Sequence, residues 1–370
     1  MNSVVHVVEA TATGTLSMVC TAANLMADKG WQVHVIYSLR PETPEDLSSM
    51  FHEAVKLQRI DMSAGAALSG GANLRRALIA IDPDVIHLHS SFAGFIGRLA
   101  TVGAVRRARI FYSPHCISMM RKDAGKKVYV YALLERIAAI KPATYLACSE
   151  SERDSIRRWL GVDAKLLENA VEVQNTSSPH ALQSSPRKPG ARTITTIGGI
   201  RTQKNPALFA EIATHCKARG LNVNFVWIGD GEPELVKVLH DAGVDVTGWM
   251  HKTNVYGILA SSDIYLSTAS WEGLPVSIIE AMACGLLTLA TTCEGNRDVV
   301  VHGITGLLFN NGLQGADLIE DIITRRLDPS EMIKNAKDET KARFSIQRFS
   351  EELLLAYCPT LTNSVTSDGN

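Results

Sequence analysis

Two glutamates lie eight positions apart in the stretch SWEGLPVSIIEAMACG, residues 270–285, with a Gly-Leu-Pro turn between them. Glu272 precedes the turn, and Glu280 lies in the helical pattern that follows it. Pro275 suits the start of this helix, and Gly285 suits the left-handed residue that ends it. Because the first N–H groups of a helix and its dipole favour an anion, the pattern predicts a phosphate site with a carboxylate on either side. The alternative is that both glutamates are ordinary solvated acids.

A second candidate anion site is TIGGIRTQKNP, residues 196–206. A strand pattern ends at Gly198 and Gly199, and Arg201 and Lys204 follow before the next helical pattern. Glycines let the backbone approach a ligand closely, and a lysine above the ends of strands supplies a positive charge for phosphate. The stretch is not a Walker A loop, so the alternative is an ordinary surface lysine.

The histidines raise two further hypotheses. His115 follows a strand pattern, where ligand-binding side chains of α/β proteins lie, and the alternative is a histidine of an ordinary turn. His87 and His89 share one face of a strand and could begin a metal site, but the sequence shows no third ligand nearby, so packing is favoured. Asp-Pro-Asp at 82–84 precedes a strand and is interpreted as a turn rather than a metal-binding pair.

Residues 98–127 carry eight basic side chains against a single acid, Asp123. Such a segment is either a solvated basic face or a surface that docks on anionic lipid. It lacks the interleaved aromatic residues that are typical of nucleic-acid binding. Its basic members are Arg98, Arg106, Arg107, Arg109, Arg121, Lys122, Lys126 and Lys127, and all of them except Arg98 and Arg109 are candidates for contact with a membrane or an acceptor.

Composition narrows the class of protein. The 370 residues leave room for two domains, and a formal net charge of -1 gives no general attraction to nucleic acid. Seven scattered cysteines without a CxxC pair indicate reduced thiols in the cytoplasm. The chain shows no signal-peptide pattern and no apolar run long enough to span a membrane, which predicts a soluble protein. Gly14 is a lone glycine after the first strand, so the three-glycine fingerprint of NAD-binding loops is absent.

The elements that must position these residues alternate between short β-branched strands and amphipathic helices, which predicts two doubly wound α/β domains with parallel sheets. Ligands of such domains bind at the carboxyl ends of strands, and we expect the active site in a cleft between the two. The predicted strands are 4–8, 32–37, 84–90, 109–114 and 144–149, then 192–198, 222–229, 245–249, 263–268 and 286–291. The predicted helices are 16–30, 72–80, 126–140, 206–219, 314–325 and 345–358.

A Ser- and Pro-rich stretch without any period separates the two series of elements and is interpreted as a linker. The predicted domains are therefore 1–174 and 192–344, joined by 175–191. The last helix, 345–358, is expected to pack back on the first domain, and 359–370 is expected to be a disordered tail.

Together these motifs resemble the retaining glycosyltransferases of family 4, which have the GT-B fold of two Rossmann-like doubly wound domains facing across a cleft. EGLPVSIIE at 272–280 looks like the E-x7-E pattern of that family. IGDG, VTGW, SSDIYLSTAS and GNRDVVVHGITGLLF match in order, at 228–231, 246–249, 261–270 and 295–309. The amino-acid sequence of these motifs is similar to that of family members that build bacterial surface polysaccharides.

The resemblance implies that 1–174 is the acceptor-side domain and that 192–344 binds the nucleotide-sugar. It also implies a role for each candidate residue. Glu280 would bind the ribose of the donor, Glu272 the hydroxyls of the transferred sugar, and Lys204 the diphosphate. Gly14 would approach the donor phosphate, and His115 would lie near the reacting sugar. The expected catalytic residues are thus His115, Glu272 and Lys204, and the rest of the donor site comprises Arg201, the turn residues Gly273, Leu274, Pro275 and Val276, and the nucleobase loop Gly248, Trp249 and Met250.

Three positions depart from the family pattern. Gly199 stands where the family has an arginine before the lysine, and Arg201 is the candidate to replace it. Asn169 and Ala170 stand where the family has Asn-Gly, and Gly14 stands alone where paired glycines are common. The first departure bears on donor affinity, and the other two bear on the geometry of the loops.

The implied reaction transfers a sugar, with retention of configuration, from a UDP- or GDP-linked donor to a hydroxyl of a glycan or polyprenyl-linked acceptor. It would serve exopolysaccharide, O-antigen or capsule synthesis, with no cofactor, no metal ion and no nucleic acid partner. The enzyme would be cytoplasmic and peripheral on the inner face of the cell membrane. The alternatives are a nucleotide-sugar epimerase, a phosphorylase of the same fold, and a non-catalytic sugar-nucleotide-binding partner.

Overall fold

The computed structural model describes residues 2–11, 13–172 and 190–358. The chain divides into two compact units: unit 1 runs to Asn169 and resumes at Gln347, and unit 2 is Ala170–Ile346. The predicted linker lies outside the described residues except at its last two positions, and the predicted tail lies outside them completely.

Within its described residues, unit 1 contains one seven-stranded parallel sheet. Its strands are β1 (Ser3–Val8), β2 (Gln32–Tyr37), β3 (Lys56–Arg59), β4 (Val85–His89), β5 (Arg109–Ser113), β6 (Thr144–Ala147) and β7 (Lys165–Leu166). Its helices up to Asn169 are α1 (Thr13–Asp28), α2 (Ala67–Ile81), α3 (Ser91–Thr101), α4 (Lys127–Ala138) and α5 (Glu150–Leu160). The strand order is β3-β2-β1-β4-β5-β6-β7, which is the doubly wound arrangement that the sequence predicts.

The central strands of unit 1 are buried along almost their whole length. β1 reads SVVHVV and β4 reads VIHLH, and a near-continuous apolar run of this kind is typical of a parallel strand covered on both faces. The register places His6 beside His87. The interior of this sheet therefore contains imidazole rings in addition to its aliphatic core.

Within its described residues, unit 2 contains a six-stranded parallel sheet with the order β10-β9-β8-β11-β12-β13. Its strands are β8 (Arg192–Ile197), β9 (Val223–Ile228), β10 (Asp245–Val246), β11 (Ile264–Ser267), β12 (Leu287–Thr291) and β13 (Leu307–Phe309). Its helices are α6 (Pro206–Ala218), α7 (Pro233–Asp241), α8 (Lys252–Ala260), α9 (Val276–Cys284), α10 (Asn296–Val299), α11 (Gly312–Ile323) and α12 (Ser330–Arg343).

The last described helix, α13 (Ile346–Tyr357), belongs to unit 1. Arg348 on its first turn donates to the carbonyl of Glu168 at 2.9 Å. Tyr357 on its last turn is fully buried and its hydroxyl lies 2.6 Å from Nδ1 of His87. A segment that follows unit 2 in the sequence thus completes the core of unit 1.

Most predicted strands agree with the structure within two residues, but several helices were missed. α5 reads ESERDSIRRWL and α12 reads SEMIKNAKDETKAR, and each buries few side chains. Their apolar periodicity is weak because the polar residues outnumber the buried ones, so pattern reading found no helix there.

Candidate active site

The loop that follows β8 carries Lys204 and begins at two glycines. Gly198 has a φ of +148°, and a Cβ at this position would lie 2.9 Å from Cε of the lysine. A single 3-10 turn, Thr202–Lys204, follows, and Asn205 then caps α6 by accepting from the N–H of Leu208 at 3.2 Å. The loop thus leads Lys204 past the carboxyl end of β8, where only a glycine leaves room for its stem.

Lys204 forms an ion pair with Glu272, in which Nζ lies 2.7 Å from Oε1. The two side chains are only 16% and 10% exposed. Burial lowers the pKa of Lys204, but the charge of Glu272 and the nearby Tyr265 outweigh it, so that the pKa lies above its usual value. Lys204 is therefore a charged and largely buried lysine, and the alternative of an ordinary surface lysine is wrong.

Hydrogen bonds join the loop of Lys204 to the loop of Glu272. Gln203 donates through Nε2 to the carbonyl of Trp271 at 3.1 Å and to Oε2 of Glu272 at 3.3 Å. The hydroxyl of Thr268 donates to the carbonyl of Lys204 at 2.9 Å. The two loops leave adjacent strands, β8 and β11, and these bonds hold them together. We call the two joined loops the frame.

The Gly-Leu-Pro turn leads into α9 close to the predicted place. Pro275 is the residue immediately before the helix, which begins at Val276. Gly285 ends the helix in the left-handed region with a φ of +82°, as the sequence predicts. Glu280 lies on the second turn, so the two carboxylates of the opening motif stand on opposite sides of the turn.

A second glycine packs directly on this turn. Gly295 has a φ of +82°, and a Cβ there would lie 2.6 Å from the carbonyl oxygen of Glu272 and 2.7 Å from that of Gly273. The side chains of Leu274 and Val276 are buried in the protein. What the turn can offer a ligand is therefore its backbone rather than its side chains.

Glu280 is also more enclosed than an ordinary helix-surface acid. Its side chain is 13% exposed, Tyr256 of α8 donates to its Oε1 at 3.3 Å, and Nζ of Lys252 lies 3.8 Å from the same oxygen. Burial raises the pKa of Glu280, while Lys252 and Tyr256 act in the opposite direction. A partly buried carboxylate of this kind can accept hydrogen bonds from hydroxyl groups of a ligand.

The side chains of Arg201 and Trp249 lie near Gly199, the position where the family pattern has an arginine. A Cβ at Gly199 would lie 3.5 Å from the Trp249 ring and 3.8 Å from Nε of Arg201. That nitrogen is buried and has no hydrogen-bond partner within the described residues. Gly248 has a φ of +73°, and the Trp249 ring beyond it is half exposed, next to Met250. The guanidinium thus lies in van der Waals contact with the position that a side chain at Gly199 would take.

In unit 1, His115 and Cys116 form a left-handed turn after β5, with φ angles of +54° and +88°. One carboxylate holds this turn: Oε1 of Glu152 accepts from the N–H groups of Cys116 and Ile117, both at 2.7 Å. Burial raises the pKa of Glu152, and the N–H of Cys148, which donates to Oε2 at 2.8 Å, opposes that rise. Two consecutive non-glycine residues in the left-handed region are costly, so the surrounding bonds must impose this conformation.

Four histidines of unit 1 lie in two hydrogen-bonded sets, and all of them except the partly buried His115 are buried. Nδ1 of His89 lies 3.0 Å from Nε2 of His115, and Nε2 of His89 lies 3.0 Å from Nδ1 of His6. His87 bonds through Nδ1 to Tyr357 and through Nε2 to the hydroxyl of Ser113 at 2.9 Å. Burial lowers the pKa of His6 to about 3 and that of His115 to about 4, and burial with the neighbouring imidazoles lowers those of His87 and His89 well below 6.5.

The expectation that His87 and His89 have no third imidazole nearby is wrong. Ligand atoms of His6, His87 and His89 lie within 4.8 Å of one another, a grouping that a metal ion could use. Both nitrogens of His87 and both of His89 already take part in hydrogen bonds, which agrees with packing as a polar network. The pattern within β4 could not reveal His6, because that residue lies on a different strand.

Three other sequence expectations meet the structure as follows. Gly14 is the second residue of α1 rather than part of the preceding loop, because the helix begins three residues earlier than predicted. Asp82 ends α2 in the left-handed region, and Asp84 accepts from the N–H of Ser3 at 2.8 Å, so Asp-Pro-Asp is structural. The six lipid-contact candidates are all exposed, namely Arg106, Arg107, Arg121, Lys122, Lys126 and Lys127.

Arg98 does not belong to that basic surface. It is fully buried, forms an ion pair with Glu135, and donates to the hydroxyl of Tyr145 at 2.7 Å. Arg98 was placed on a basic face because its neighbours in the sequence are basic. The structure turns it inward because a buried carboxylate compensates its charge.

Sequence reasoning also missed Glu152 as the support of the His115 turn. The string SESE, residues 149–152, is a capping-box signature, and Ser149 indeed accepts from the N–H of Glu152 at 3.1 Å. That signal would have found the start of α5. It could not have shown that the same carboxylate also holds a second loop.

Comparisons with known proteins divide the chain at nearly the same place as the two units do. A model of the glycosyl transferase 4-like domain matches residues 13–168, and a model of glycosyl transferases group 1 matches residues 191–325. The chain is 26% identical over 306 residues to the UDP-Gal:alpha-D-GlcNAc-diphosphoundecaprenol alpha-1,3-galactosyltransferase of Escherichia coli, covering 76% of each chain. It is 28% identical over 246 residues to a 41.2 kDa protein of the cps region of Klebsiella pneumoniae, covering 61% of this chain and 65% of that one.

Solved structures show the same architecture. Sucrose-phosphate synthase of Thermosynechococcus elongatus superposes with a TM-score of 0.82 at 15% identity, over 98% of this chain and 100% of that one. The Anabaena protein Alr3699/HepE in complex with UDP-glucose gives a TM-score of 0.80 at 16% identity, with the same coverage. At these identities the likeness concerns the fold, which is GT-B with two Rossmann-like domains.

Proposed function

Because the chain belongs to the glycosyltransferases of family 4, we propose that it moves a hexose, with retention of configuration, from a nucleotide diphosphate sugar to a hydroxyl of a glycan or polyprenyl-linked acceptor. The pathway would build a bacterial exopolysaccharide, O-antigen or capsule. The observation that carries this proposal is the buried ion pair of Lys204 and Glu272 beside the start of α9, with Glu280 one turn further on. Its charges and spacing suit a diphosphate flanked by two sugars.

The donor would lie along this frame. Lys204 would release Glu272 to the hydroxyls of the transferred sugar and take the diphosphate as its new counter-charge. Arg201 has an unpartnered buried nitrogen, which supports it as the replacement for an arginine at Gly199. Glu280 would accept from the ribose hydroxyls, and Gly248, Trp249 and Met250 would meet the nucleobase. Gly14 in the first turn of α1 would approach the phosphate.

The proposed chemistry is attack on the same face of the sugar that the diphosphate leaves. The bond from the anomeric carbon to the phosphate oxygen breaks, and its electron pair remains on the diphosphate. The acceptor oxygen bonds to the anomeric carbon, and its proton passes to a phosphate oxygen of the leaving group. Lys204 and Arg201 stabilise the charge that develops on that group, which is why the proposal requires no metal ion or cofactor. His115 would orient the sugar or the acceptor.

UDP-sugars are the first donors to test. The galactosyltransferase of Escherichia coli is named for UDP-Gal and a diphosphoundecaprenol acceptor, and the Anabaena structure contains UDP-glucose. GDP-sugars follow as the second set. A donor that binds the folded chain raises its melting temperature by mass action, so a thermal-shift screen identifies the nucleotide before any acceptor is known.

Product analysis with the identified donor tests the function. We expect Lys204→Ala and Glu280→Ala each to lose most of the transfer while the purified variants remain folded, although Lys204→Ala should melt at a lower temperature because it leaves the buried Glu272 without its counter-charge. Full activity of either variant would contradict the site. Release of an epimerised sugar nucleotide or of a sugar phosphate would replace transfer by the other chemistries of this fold, and donor binding without any product would indicate a non-catalytic partner.

The enzyme is proposed to work in the cytoplasm on the inner face of the membrane, as a polyprenyl-linked acceptor would require. No helix among the described residues is long and apolar enough to cross a bilayer. The exposed basic residues between Arg106 and Lys127 support peripheral contact with anionic lipid, each contributing roughly 1 kcal/mol near such a surface.

A further inference from the structure

The outward face of α4 is apolar. Tyr129, Leu133 and Ile137 follow one another at helical spacing, and Val130 and Leu134 widen the stripe beside them. All five are exposed, by between 38% and 66%. Soluble proteins rarely expose large apolar side chains contiguously without a partner for them.

The inward face of the same helix carries two small apolar side chains, Ala132 and Ala138, and one carboxylate, Glu135. Glu135 is buried, forms the ion pair with Arg98 and accepts from the hydroxyl of Tyr112 at 2.8 Å. The helix cannot turn its apolar stripe toward the core without removing this carboxylate from its partners, at a large free-energy cost. A buried ion pair thus fixes the orientation of the helix, and its larger apolar side chains stay exposed.

Basic side chains border the apolar stripe. Lys126 and Lys127 stand at the first turn and Arg136 is exposed on the helix itself, while Arg121, shortly before the helix, is paired with Asp123. Ile140, 72% exposed, extends the apolar surface just beyond the last turn. Aliphatic and aromatic chains next to lysines and arginines match the two layers of a bilayer surface, the acyl boundary and the anionic headgroups.

We propose that α4 docks this protein on an anionic lipid bilayer, with its five-residue apolar stripe in the acyl boundary and its lysines on lipid phosphates. The inference deepens the membrane part of the proposed function and assigns it to one helix. It commits to a bilayer because the border of the stripe is basic, which complements a lipid surface. It does not depend on the donor site of unit 2.

Vesicle flotation of the full chain tests this docking surface, using phosphatidylcholine vesicles with and without phosphatidylglycerol. We expect Leu133→Ser/Ile137→Ser to weaken binding to anionic vesicles by roughly tenfold or more, since each side chain loses apolar area that would be buried. The matched control is Ile304→Ser/Leu313→Ser in unit 2, whose side chains are both 54% exposed. Equal binding by the α4 variant and the unmodified chain would overturn the proposal.

Two further measurements separate the outcomes. Leu133→Trp should report insertion by a blue shift of fluorescence on anionic vesicles, and no shift would also count against it. If the α4 variant instead splits a dimer of the unmodified chain and leaves flotation unchanged, the stripe is an interface between copies and the proposal is wrong. Transfer to a water-soluble acceptor should be retained by the α4 variant, which separates failure of docking from failure of catalysis.

A separate inference follows from the hydrogen-bonded series His6–His89–His115. Nε2 of His6 is buried without a partner among the described residues. If that nitrogen carried the proton, a buried N–H would lack an acceptor, which is rarer and costlier than an unused lone pair. His6 is therefore protonated on Nδ1 and donates to Nε2 of His89.

The direction of the first bond sets the second. A neutral His89 that accepts at Nε2 carries its proton on Nδ1 and donates it to Nε2 of His115. His115 then holds its own proton on Nδ1. We infer that His6 and His89 are positioning residues that fix His115 as the Nδ1–H tautomer, so that it offers a ligand a hydrogen-bond donor.

Nitrogen NMR of the full chain labelled at histidine tests the tautomer. We expect a protonated Nδ1 and an unprotonated Nε2 for His115, a change toward the Nε2–H form in His6→Leu, and its restoration in His6→Asn, whose amide can still donate. An Nε2–H form in the unmodified chain would overturn the inference. The role on the ligand rests on the proposed function, and there the kcat of His6→Leu should fall with an unchanged KM for the donor. The NMR result stands even if no transfer is found.

Discussion

The two units treat their polar groups in opposite ways. Unit 1 keeps neutral imidazoles inside its sheet, on β1 and β4, and ends the series at a turn that carries His115. Unit 2 buries hydroxyl groups, such as those of Thr195 and Thr288, but no imidazole in the described strands of its sheet, and it places charged groups, above all Lys204 and Glu272, on loops at the strand ends. The difference suits two tasks: a charged frame can hold an anionic donor, and a neutral network can set the proton position of a histidine.

The largest expected effect is acid sensitivity of unit 1. Unfolded histidines protonate near pH 6.5, whereas the folded pKa is about 3 for His6 and about 4 for His115. The unfolded state therefore binds more protons below pH 6.5, and stability falls as the pH drops from there toward 4. These two histidines alone predict a loss of roughly 2–3 kcal/mol per pH unit in the middle of that window, and the lowered pKa values of His87 and His89 act in the same direction.

Urea unfolding followed at Trp31 and Trp159, which belong to unit 1, measures this slope. Glu152 acts in the opposite direction, because its raised pKa lets the folded state bind a proton. The contribution of one carboxyl does not cancel that of four histidines. Stability of unit 1 that stays level between pH 6.5 and 4.5 would contradict the neutral network.

Arg98→Met should have the next largest effect, about 3–5 kcal/mol of unfolding free energy, because it leaves the buried Glu135 without its counter-charge. The matched variant is Arg192→Met in unit 2. Arg192 and its partner Asp263 are both partly exposed, so we expect this variant to lose only about 0.2–1 kcal/mol of unfolding free energy. Denaturant melts of both variants provide the measurement. Equal losses would show that burial does not distinguish the two ion pairs.

Gly295→Ala tests how tightly the frame of unit 2 is closed. The new Cβ would meet the carbonyls of Glu272 and Gly273 in a left-handed backbone, so we expect a loss of roughly 2–3 kcal/mol and weaker donor binding. Gly243→Ala has a similar φ of +79° and nothing within 4 Å, so it should lose only the backbone term, about 1 kcal/mol. Melting temperatures of the pair separate contact from conformation, and similar losses would argue against the close approach.

The smallest effect is expected for Lys252→Ala. Lys252 opposes the effect of burial on Glu280, so its removal raises the pKa of that carboxyl further. A protonated Glu280 accepts fewer hydrogen bonds, and donor affinity should therefore weaken more steeply on acidification, by less than about tenfold near neutral pH. Calorimetric titration of the donor nucleotide at several pH values measures this. An unchanged pH profile would mean that Glu280 does not contact the donor.

The sequence was informative where chemistry depends on neighbours in the chain. Pro275, Gly285 and the loop before α6 could be predicted because turns and caps are local. The ion pair of Lys204 with Glu272, the support of the His115 turn by Glu152 and the third imidazole at His6 could not. Each joins residues from different strands or loops, and only the sheet order brings them together.

The burial of individual side chains was the other quantity that the sequence pattern did not reveal. Arg98 begins the basic segment 98–127, α4 begins where that segment ends, and nothing local shows that Glu135 draws Arg98 inward. Once that pair is buried, Leu133 and its neighbours must face outward. The most informative surface of unit 1 thus follows from a contact within its core.

The insertion of Tyr357 beneath His87 has a consequence for the order of events during synthesis. Unit 2 is one continuous segment, so a ribosome releases all of it before α13 emerges. The synthesis of unit 1 begins first, but its core is incomplete until α13 has been made. Although the amino-terminal part of a chain usually folds first, here the later-made unit can reach its final form earlier, and the hydroxyl that satisfies a central histidine is made only after all of unit 2.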